Sequence, residues 1–193
     1  MTGRRPSAPE AGGARAASLG LESGTVRVVP HDPAWPSLFA DEAARLRAVA
    51  ESSGLPLALE HTGSTAVPGL AAKPILDILG GHPPGASVGP YVEALERAGY
   101  VHRGEQGIAG REFFRRGTPR AYHLHLVVQG GAFWREHLAF RDALRARADL
   151  RAAYAALKLD LAQRFPRDRE AYTDGKGAFV HRVVAEALAH GGA

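Results

Sequence analysis

The segment His61–Leu79 constrains the fold more than any other part of the chain. A Gly-Ser-Thr turn at Gly63–Thr65 follows a strand predicted over Leu57–Glu60, and a second predicted strand carries Asp77 between apolar neighbours. Glycine lets a backbone approach a phosphate without interference from a Cβ, and hydroxyl groups can hydrogen-bond the phosphate oxygens. The arrangement predicts a phosphate held at the turn with a metal-binding carboxylate beside it, which is the plan of nucleotidyl transfer.

Two other motifs with similar residues are excluded by their spacing. A Walker A loop needs Gly-x4-Gly-Lys-Ser/Thr. Here five residues separate Gly63 from Gly69, and Lys73 does not follow Gly69 directly. A serine-hydrolase elbow needs Gly-x-Ser-x-Gly, which is absent around Ser64. The turn is therefore interpreted as neither a P-loop nor a nucleophile elbow.

Length and composition limit the class of protein. A chain of 193 residues can form one domain with a full core. The absence of cysteine excludes disulfides, thiolate metal sites and a cysteine nucleophile. A net charge of +4 suits a phosphate-bearing ligand but does not by itself indicate nucleic-acid binding. No apolar run reaches membrane-spanning length and the N-terminus lacks an apolar signal region, so we expect a cytoplasmic protein without a membrane partner.

The order of predicted elements favours an α+β plan. Residues 1–24 are rich in small and polar residues and are predicted to be a disordered tail, followed by one domain over 25–193. Asp32 is expected to cap the first helix, and from Ala132 onward the pattern is helical. A mixed sheet followed by a helical half is not a doubly wound alternation. Besides the strand carrying Asp77, strands are predicted over 26–29, 57–60, 100–102, 111–116 and 122–128, and helices over 32–51 and 88–98.

Several residues outside the turn have the chemistry of a phosphate site. His123 and His125 share one face of a predicted strand, so both can reach one metal or one phosphate. The guanidinium groups of Arg111 and Arg115, just before that strand, suit triphosphate oxygens. Two tyrosine–lysine pairs at helical spacing each share a helix face: Tyr154 with Lys158, and Tyr172 with Lys176. For each pair, a packed tyrosine with an extended lysine is an equally good interpretation.

The chain also resembles the GrpB family. The likeness is centred on Glu60–Leu70, where Thr62 replaces the usual isoleucine, and on Ala72–Asp77. It extends over nearly all of the sequence from Val26 onward. Its further matches are Pro33-Ala34-Trp35, His123-Leu124-His125, Phe140–Arg145, Tyr154 with Lys158, and Tyr172 with Lys176.

The resemblance implies a nucleotidyltransferase-like fold, a mixed β-sheet with flanking helices and a helical C-terminal half. It also implies that C-terminal helices close over a nucleotide, and related domains occur fused to dephospho-CoA kinases. Nucleotidyltransferases usually place a second carboxylate two residues after the first, where this chain has Leu79. Replacement ligands are expected among Glu60, Glu112, His123 and His125.

These observations predict a nucleotidyltransferase that binds ATP or another nucleoside triphosphate with Mg²⁺ or Mn²⁺. It would transfer a nucleoside monophosphate to a small-molecule acceptor, with no nucleic-acid partner. Two alternatives stay open: a ligase that forms an acyl-adenylate and then an amide, and a non-catalytic nucleotide-binding module that lost the second carboxylate. The sequence leaves the acceptor, the base preference and the oligomeric state open.

The predicted site residues fall into three overlapping sets. The catalytic set is Asp77, Ser64 and Glu60. The metal ligands are Asp77, Glu60, His123 and His125. The nucleotide-binding set is Gly63, Ser64, Thr65, Lys73, Arg111, Arg115, Tyr154, Lys158 and Lys176.

Overall fold

The chain folds as a mixed β-sheet interleaved with two helices and followed by four more, in a computed structural model that describes residues 19–190. This arrangement confirms the predicted α+β class, with flanking helices and a helical C-terminal half. The strands are β1 (Ala58–Thr62), β2 (Leu76–His82), β3 (Val101–His102), β4 (Glu112–Arg116) and β5 (Tyr122–Val128). The helices are α1 (Trp35–Ser52), α2 (Gly89–Arg97), α3 (Ala132–Ala146), α4 (Ala148–Arg164), α5 (Arg169–Asp174) and α6 (Gly177–His190), with one 3₁₀ turn at Ser64–Ala66.

The order of strands in the sheet places the two ends of the segment His61–Leu79, called the signature segment below, on the neighbouring strands β1 and β2. The order is β1-β2-β5-β4-β3, and only β2 and β5 are parallel. In this register Asp77 of β2 lies between Thr62 of β1 and His123 of β5. Because side chains alternate along a strand, Asp77, His123 and His125 lie on one face of the sheet.

The other face of the sheet carries the main core. Ile78, Leu124, Leu126 and Phe114 are almost completely buried there. They pack with residues of α1 and α2, including Leu46 and Tyr91. This alternation of apolar and polar positions is the period-2 pattern of a sheet with one face on a core. On the Asp77 face, a smaller apolar cluster of Leu79, Val127 and Trp134 lies beside the polar side chains.

The second half of the signature segment anchors the C-terminal helices. Val67 and Leu70 have exposures of 0% and 1%, and they pack with Leu144, Leu150, Tyr154 and Val183 of α3, α4 and α6. This apolar contact holds the helical half against the turn. It therefore brings side chains of α4 close to Ser64.

Most of the predicted elements are present, with small shifts at their ends. The strand predicted over 26–29 is the exception, since only Val29 pairs, in an isolated bridge with Ala72. Val26 instead packs with Leu161 and Tyr172 in a small separate cluster. Asp32 accepts a hydrogen bond from the Ala34 backbone at 2.9 Å, but the helix begins at Trp35, two residues later than Pro33.

The boundary predicted for the N-terminal tail falls inside structured chain. Residues 1–18 and 191–193 lie outside the described residues, but residues 19–24 of the predicted tail do not. Leu21 is 5% exposed, and its N–H donates to the Arg120 carbonyl at 3.0 Å. The Gly20 N–H donates to the Pro74 carbonyl at 2.8 Å. One buried leucine and two backbone hydrogen bonds are enough to fix this segment against the domain.

Between residues 19 and 190, no helix has both the length and the apolar character needed to cross a membrane.

The burial of Leu21 generates a stability prediction. We expect Leu21→Ala to lower the free energy of unfolding by about 2–3 kcal/mol, because it removes buried apolar contacts and leaves a cavity. Urea denaturation of the full chain measures this change. Glu22→Ala is the matched control, since the neighbouring Glu22 side chain is exposed. Equal unfolding free energies for the two variants would contradict the packing of Leu21.

Candidate functional site

The candidate site is built around a carboxylate–imidazole pair on neighbouring strands. Asp77 and His123 are register partners on the parallel strands β2 and β5, and His123 Nδ1 lies 3.0 Å from Asp77 Oδ1. Burial alone would raise the pKa of Asp77, but the hydrogen bond from His123, with electrostatic attraction from the His123 and His125 rings and from Lys73, lowers that pKa well below its usual range. Burial lowers the pKa of His123. An ionised Asp77 therefore accepts a hydrogen bond from the Nδ1–H of a neutral His123.

Gly63 lies directly against the Asp77 carboxylate. A Cβ at this position would be 2.5 Å from Asp77 Oδ2, well inside van der Waals contact. The backbone of Gly63 has φ 69° and ψ −170°, a region that only glycine adopts readily. Glycine is thus required here for two reasons: it adopts this backbone conformation readily, and it has no Cβ to collide with the Asp77 carboxylate. The contact confirms that the turn and the Asp77 strand come together as the sequence predicts.

The two hydroxyl residues of the turn have different surroundings. Thr65 is 1% exposed, and its Oγ1 lies 3.0 Å from His61 Nε2. This buried pair stabilises the turn and takes the Thr65 hydroxyl away from the predicted phosphate contact. Ser64 is half-buried and lies beside the Tyr154 hydroxyl of α4. Of the two hydroxyl residues of the turn, Ser64 is therefore the less buried.

Three lysines collect beside the turn; Lys73, Lys158 and Lys176 are called the lysine group below. Lys73 Nζ and Lys176 Nζ lie over the Tyr172 ring, 4.9 and 4.6 Å from its centroid. Lys158 is 2% exposed, donates to the Ala71 carbonyl and lies over the Tyr154 ring at 4.7 Å. The predicted tyrosine–lysine pairs are therefore arranged as cation–π pairs.

Burial and mutual repulsion make the lysine group easy to deprotonate. Burial, with the charges of neighbouring cations, lowers the pKa of Lys73 and of Lys158 to about 7, from an ordinary value of 10.5. Burial also lowers the pKa of Lys176, although Asp77 opposes this change. No described carboxylate forms a salt bridge with any of the three. A bound anion would supply the missing charge and raise these pKa values.

A second set of cations lies beyond Asp77; Arg115, Arg120 and Arg169 are called the arginine group below. Arg120 is 7% exposed, while Arg115 and Arg169 are half-buried. Burial, followed by the charges of Arg169, Arg120 and Arg103, lowers the pKa of Arg115 to about 10. Four buried N–H groups of the arginine group have no hydrogen-bond partner among the described residues: Arg115 Nε, Arg120 Nε, Arg120 Nη2 and Arg169 Nε. Unpaired buried donors are rare and costly unless a water molecule or a ligand satisfies them.

The predicted metal ligands are not gathered into one group. Glu60 accepts a hydrogen bond from Arg141 Nη1 at 2.7 Å, so an arginine already neutralises it. His125 is in contact with the Phe113 and His137 rings, and burial lowers its pKa to about 3. Within residues 19–190, no three or more His, Cys, Asp or Glu side chains are placed to hold a metal ion. Asp77 Oδ2 accepts no hydrogen bond from a described residue, so one carboxylate oxygen is free to contact a metal carried by a ligand.

Arg111 is placed apart from Asp77. Its guanidinium donates to the Glu105 carbonyl at 2.8 Å and lies 5.2 Å from the centroid of the Phe113 ring. Its Nη1 lies 3.5 Å from His125 Nδ1. These contacts hold the loop before β4 and engage the Arg111 guanidinium, and its contact with a triphosphate stays a prediction.

The sequence selected Arg115 but left the other two members of the arginine group unassigned. Of these two, Arg120 had a signal in the sequence, because it lies just before β5, the strand that carries His123 and His125. Arg169 begins α5, about forty residues beyond the histidines, and no local pattern distinguishes it. Its place beside Arg115 and Arg120 follows from the packing of the C-terminal helices.

The site residues lie within a recognised family model. Residues 25–186 match the model described as GrpB protein. The chain belongs to the GrpB family. It is 45% identical over 169 residues to UPF0157 protein PA4798 of Pseudomonas aeruginosa, covering 85% of this chain and 68% of that protein.

One solved structure and one longer protein extend the comparison. The crystal structure of conserved protein GrpB from Enterococcus faecalis is 36% identical, with a TM-score of 0.76 over 85% of this chain and 98% of that one. A dephospho-CoA kinase of Mycolicibacterium paratuberculosis is 31% identical over 173 residues. That match covers 76% of this GrpB chain but only 42% of the kinase, so the chain spans less than half of that protein.

The Gly63 contact can be tested with a pair of glycine variants. Gly63→Ala should displace the Asp77 carboxylate and lower the free energy of unfolding by about 2–4 kcal/mol, since backbone strain alone costs about 1–3 kcal/mol. Gly69→Ala is the control, because Gly69 also has a positive φ of 77° but a Cβ there meets nothing within 4 Å. Urea denaturation gives both values. A loss for Gly69→Ala as large as that for Gly63→Ala would mean that contact with Asp77 contributes nothing.

The lysine group predicts a pH dependence of stability. Because the folded-state pKa of Lys73 and Lys158 is about 7 and the unfolded value is 10.5, the unfolded chain binds more protons between these values. The free energy of unfolding should then rise with pH from about 7 to 9.5, by at most about 1.4 kcal/mol per pH unit for each lysine.

Urea denaturation at pH 7, 8 and 9.5 measures this slope. Lys158→Met should reduce the slope, because one of the lysines with a lowered pKa is gone. Leu159→Met, at an exposed neighbouring position, should keep the parent slope. A parent protein whose stability is flat or falls over this range would contradict the assignment.

Proposed function

We propose that this GrpB-family protein binds a nucleoside triphosphate, expected to be ATP, and transfers its nucleoside monophosphate to a small-molecule acceptor. The observation that carries the proposal is the imbalance of charge around Asp77. One carboxylate, next to a Gly-Ser turn, is surrounded by the lysine group and the arginine group, several of whose buried donors lack partners. A polyphosphate supplies both the negative charge and the acceptor oxygens that this arrangement lacks.

The lysine group is the proposed cradle of the triphosphate. Gly63 leaves space for a close approach of the ligand to the turn, and the Ser64 hydroxyl can donate to a phosphate oxygen. Protonated lysines stabilise that charge as point charges. Since the pKa of Lys73 and Lys158 is about 7, triphosphate affinity should be greatest at neutral pH and below.

Mg²⁺ enters the proposal as part of the substrate complex with ATP. Magnesium is usually bound through one or two carboxylates together with substrate phosphates, and a single free oxygen of Asp77 fits that mode. The hydrogen bond from His123 fixes the orientation of the Asp77 carboxylate. When bound, the metal would neutralise charge that develops at the α-phosphate.

The proposed reaction needs positioning more than covalent chemistry by the protein. An oxygen of the acceptor forms a bond to the α-phosphorus, the bond from that phosphorus to the β-phosphate oxygen breaks, and pyrophosphate leaves. The chain would hold the triphosphate, neutralise the departing pyrophosphate and exclude water with the helices of its C-terminal half. One relative is named as a dephospho-CoA kinase, and kinases bind nucleoside triphosphates, which supports a nucleotide as the ligand.

A non-catalytic nucleotide-binding module is the second candidate. It is favoured by Leu79, which is fully buried at the position of the usual second carboxylate, and by Glu60, which already pairs with Arg141. Only Asp77 then offers a carboxylate oxygen to a metal. Such a module would bind the triphosphate without releasing pyrophosphate.

Asp77→Asn tests the proposal. Calorimetric titration with a non-hydrolysable ATP analogue and Mg²⁺ measures binding, and Mg²⁺-dependent pyrophosphate release measures chemistry with a panel of small acceptors. We expect Asp77→Asn to keep the fold and to lower pyrophosphate release about 100-fold or more. Asp160→Asn, on the exposed surface of α4, is the matched control and should behave like the parent.

The outcomes separate the two candidates. A parent that binds the analogue and releases pyrophosphate supports transfer. A parent that binds the analogue and releases none with any acceptor supports the binding module. A parent that does not bind the analogue overturns both, and Asp77→Asn with an early melting temperature but undiminished specific activity overturns the role of Asp77.

A further inference from the structure

We infer that the arginine group, Arg115, Arg120 and Arg169, forms a second anion site that binds a phosphomonoester group on the acceptor. This inference deepens the proposed function and rests on it in one respect: the bound phosphomonoester is the acceptor only if the proposed transfer reaction takes place. The site itself rests on separate observations: one almost fully buried guanidinium, two half-buried ones beside it, and their unpaired donors. The class of second substrate is therefore a small phosphorylated molecule.

The arginine group and the lysine group form one continuous cationic surface around Asp77. Arg115 is on β4 opposite His123, and its charged neighbours are Arg169, Arg120 and Arg103. Lys158 is on α4, and its charged neighbours are Lys176 and Lys73. Lys73 joins the two groups, because its charged neighbours include Arg169, Arg120 and Asp77. Arg115 and Lys158, at the two ends, share no charged neighbour, so each end of the surface can hold an anionic group of its own.

The arginine group has the donors for a phosphate. Its four unpaired N–H groups come from three different guanidinium groups, and Arg120 is 7% exposed at the base of the cluster. A guanidinium is well suited to bind phosphate oxygens through paired N–H donors. No described carboxylate forms a salt bridge with any member, so nothing within the described chain satisfies these donors.

Charge and geometry select a phosphomonoester over a carboxylate. Three guanidinium groups carry three positive charges, and Asp77, whose charge acts on Arg120, already accepts the hydrogen bond from His123. A carboxylate ligand brings one negative charge and two oxygens. A phosphomonoester near neutral pH brings about 1.5–2 negative charges and three terminal oxygens, which match three guanidinium groups better.

Phosphate binding in the presence of nucleotide tests the second site. The full chain is saturated with a non-hydrolysable ATP analogue and Mg²⁺ and titrated with inorganic phosphate, glycerol 3-phosphate and acetate at constant ionic strength. We expect both phosphates to bind with an affinity that saturating analogue does not lower, and acetate to bind at least about tenfold more weakly. Arg169→Gln should weaken phosphate binding about tenfold or more, because a charge-assisted hydrogen-bond donor is lost.

Two further variants separate a binding role from a folding role. Arg167→Gln removes the same charge two residues away at an exposed position and should bind phosphate like the parent. Arg169→Lys keeps the charge but loses the paired donors, so it should bind phosphate with intermediate affinity. Melting temperatures show whether each variant is folded, and Arg169 is half-buried at the start of α5, where replacement leaves the main core intact.

The results distinguish this inference from the proposed function. Phosphate that competes with the ATP analogue would overturn the inference, because the arginine group would then hold the triphosphate. No phosphate binding by the parent, acetate binding as strong as phosphate, or equal affinity in Arg169→Gln and Arg167→Gln would overturn it too. A parent that binds phosphate through Arg169 but does not bind the analogue would keep the second site and reject the proposed function.

Discussion

The Asp77 carboxylate is held between the Gly63 backbone and the His123 imidazole, and the arrangement of the site depends on this contact. It requires β2 to lie parallel to β5, so that Asp77 and His123 are opposite each other. It also requires glycine at position 63, since a side chain there would be 2.5 Å from Asp77 Oδ2. The hydrogen bond from His123 keeps Asp77 ionised, so its carboxylate places one negative charge among the surrounding cations.

This concentration of cations lowers the free energy of unfolding. Burying a charged group without a partner is unfavourable, and the lowered pKa values of Lys73, Lys158 and Arg115 express that cost. Proteins retain such groups where function requires them. A bound anion would offset the repulsion and satisfy the unpaired donors, so ligand binding and folding stability are expected to be coupled in this protein.

Glu60 does not form the usual pair of neighbouring carboxylates with Asp77. Leu79 is completely buried opposite Glu60 on β1 and opposite His125 on β5. Glu60 lies on the correct face of the sheet to replace the missing acid, but Arg141 of α3 neutralises it at 2.7 Å. The same arginine donates to the His61 carbonyl at 3.0 Å, so it ties α3 to the signature segment. Glu60 therefore contributes to docking of the helical half.

Local patterns in the sequence determined most of the strands and helices of this protein and the turn beside Asp77. Period-2 alternation predicted β5 with His123 and His125 on one face, helical spacing predicted the C-terminal half, and the segment His61–Leu79 predicted that the Gly-Ser turn lies beside Asp77. These predictions succeeded because each depends on residues close together in the chain. The tail boundary at residue 24 was wrong because the burial of Leu21 depends on a contact with the distant segment that carries Arg120.

Tertiary structure alone decided which charged groups share the site. Arg169 lies beside Arg115 and Arg120 only because α5 packs near the sheet, while Arg111 and Thr65, with equally suitable side chains, are occupied by Glu105 and His61. Glu60 is similarly neutralised by Arg141. The type of a side chain defines the chemistry it can perform, which the sequence states directly. Whether that side chain is free to perform it depends on partners from distant segments, and only the packing of those segments brings the partners together.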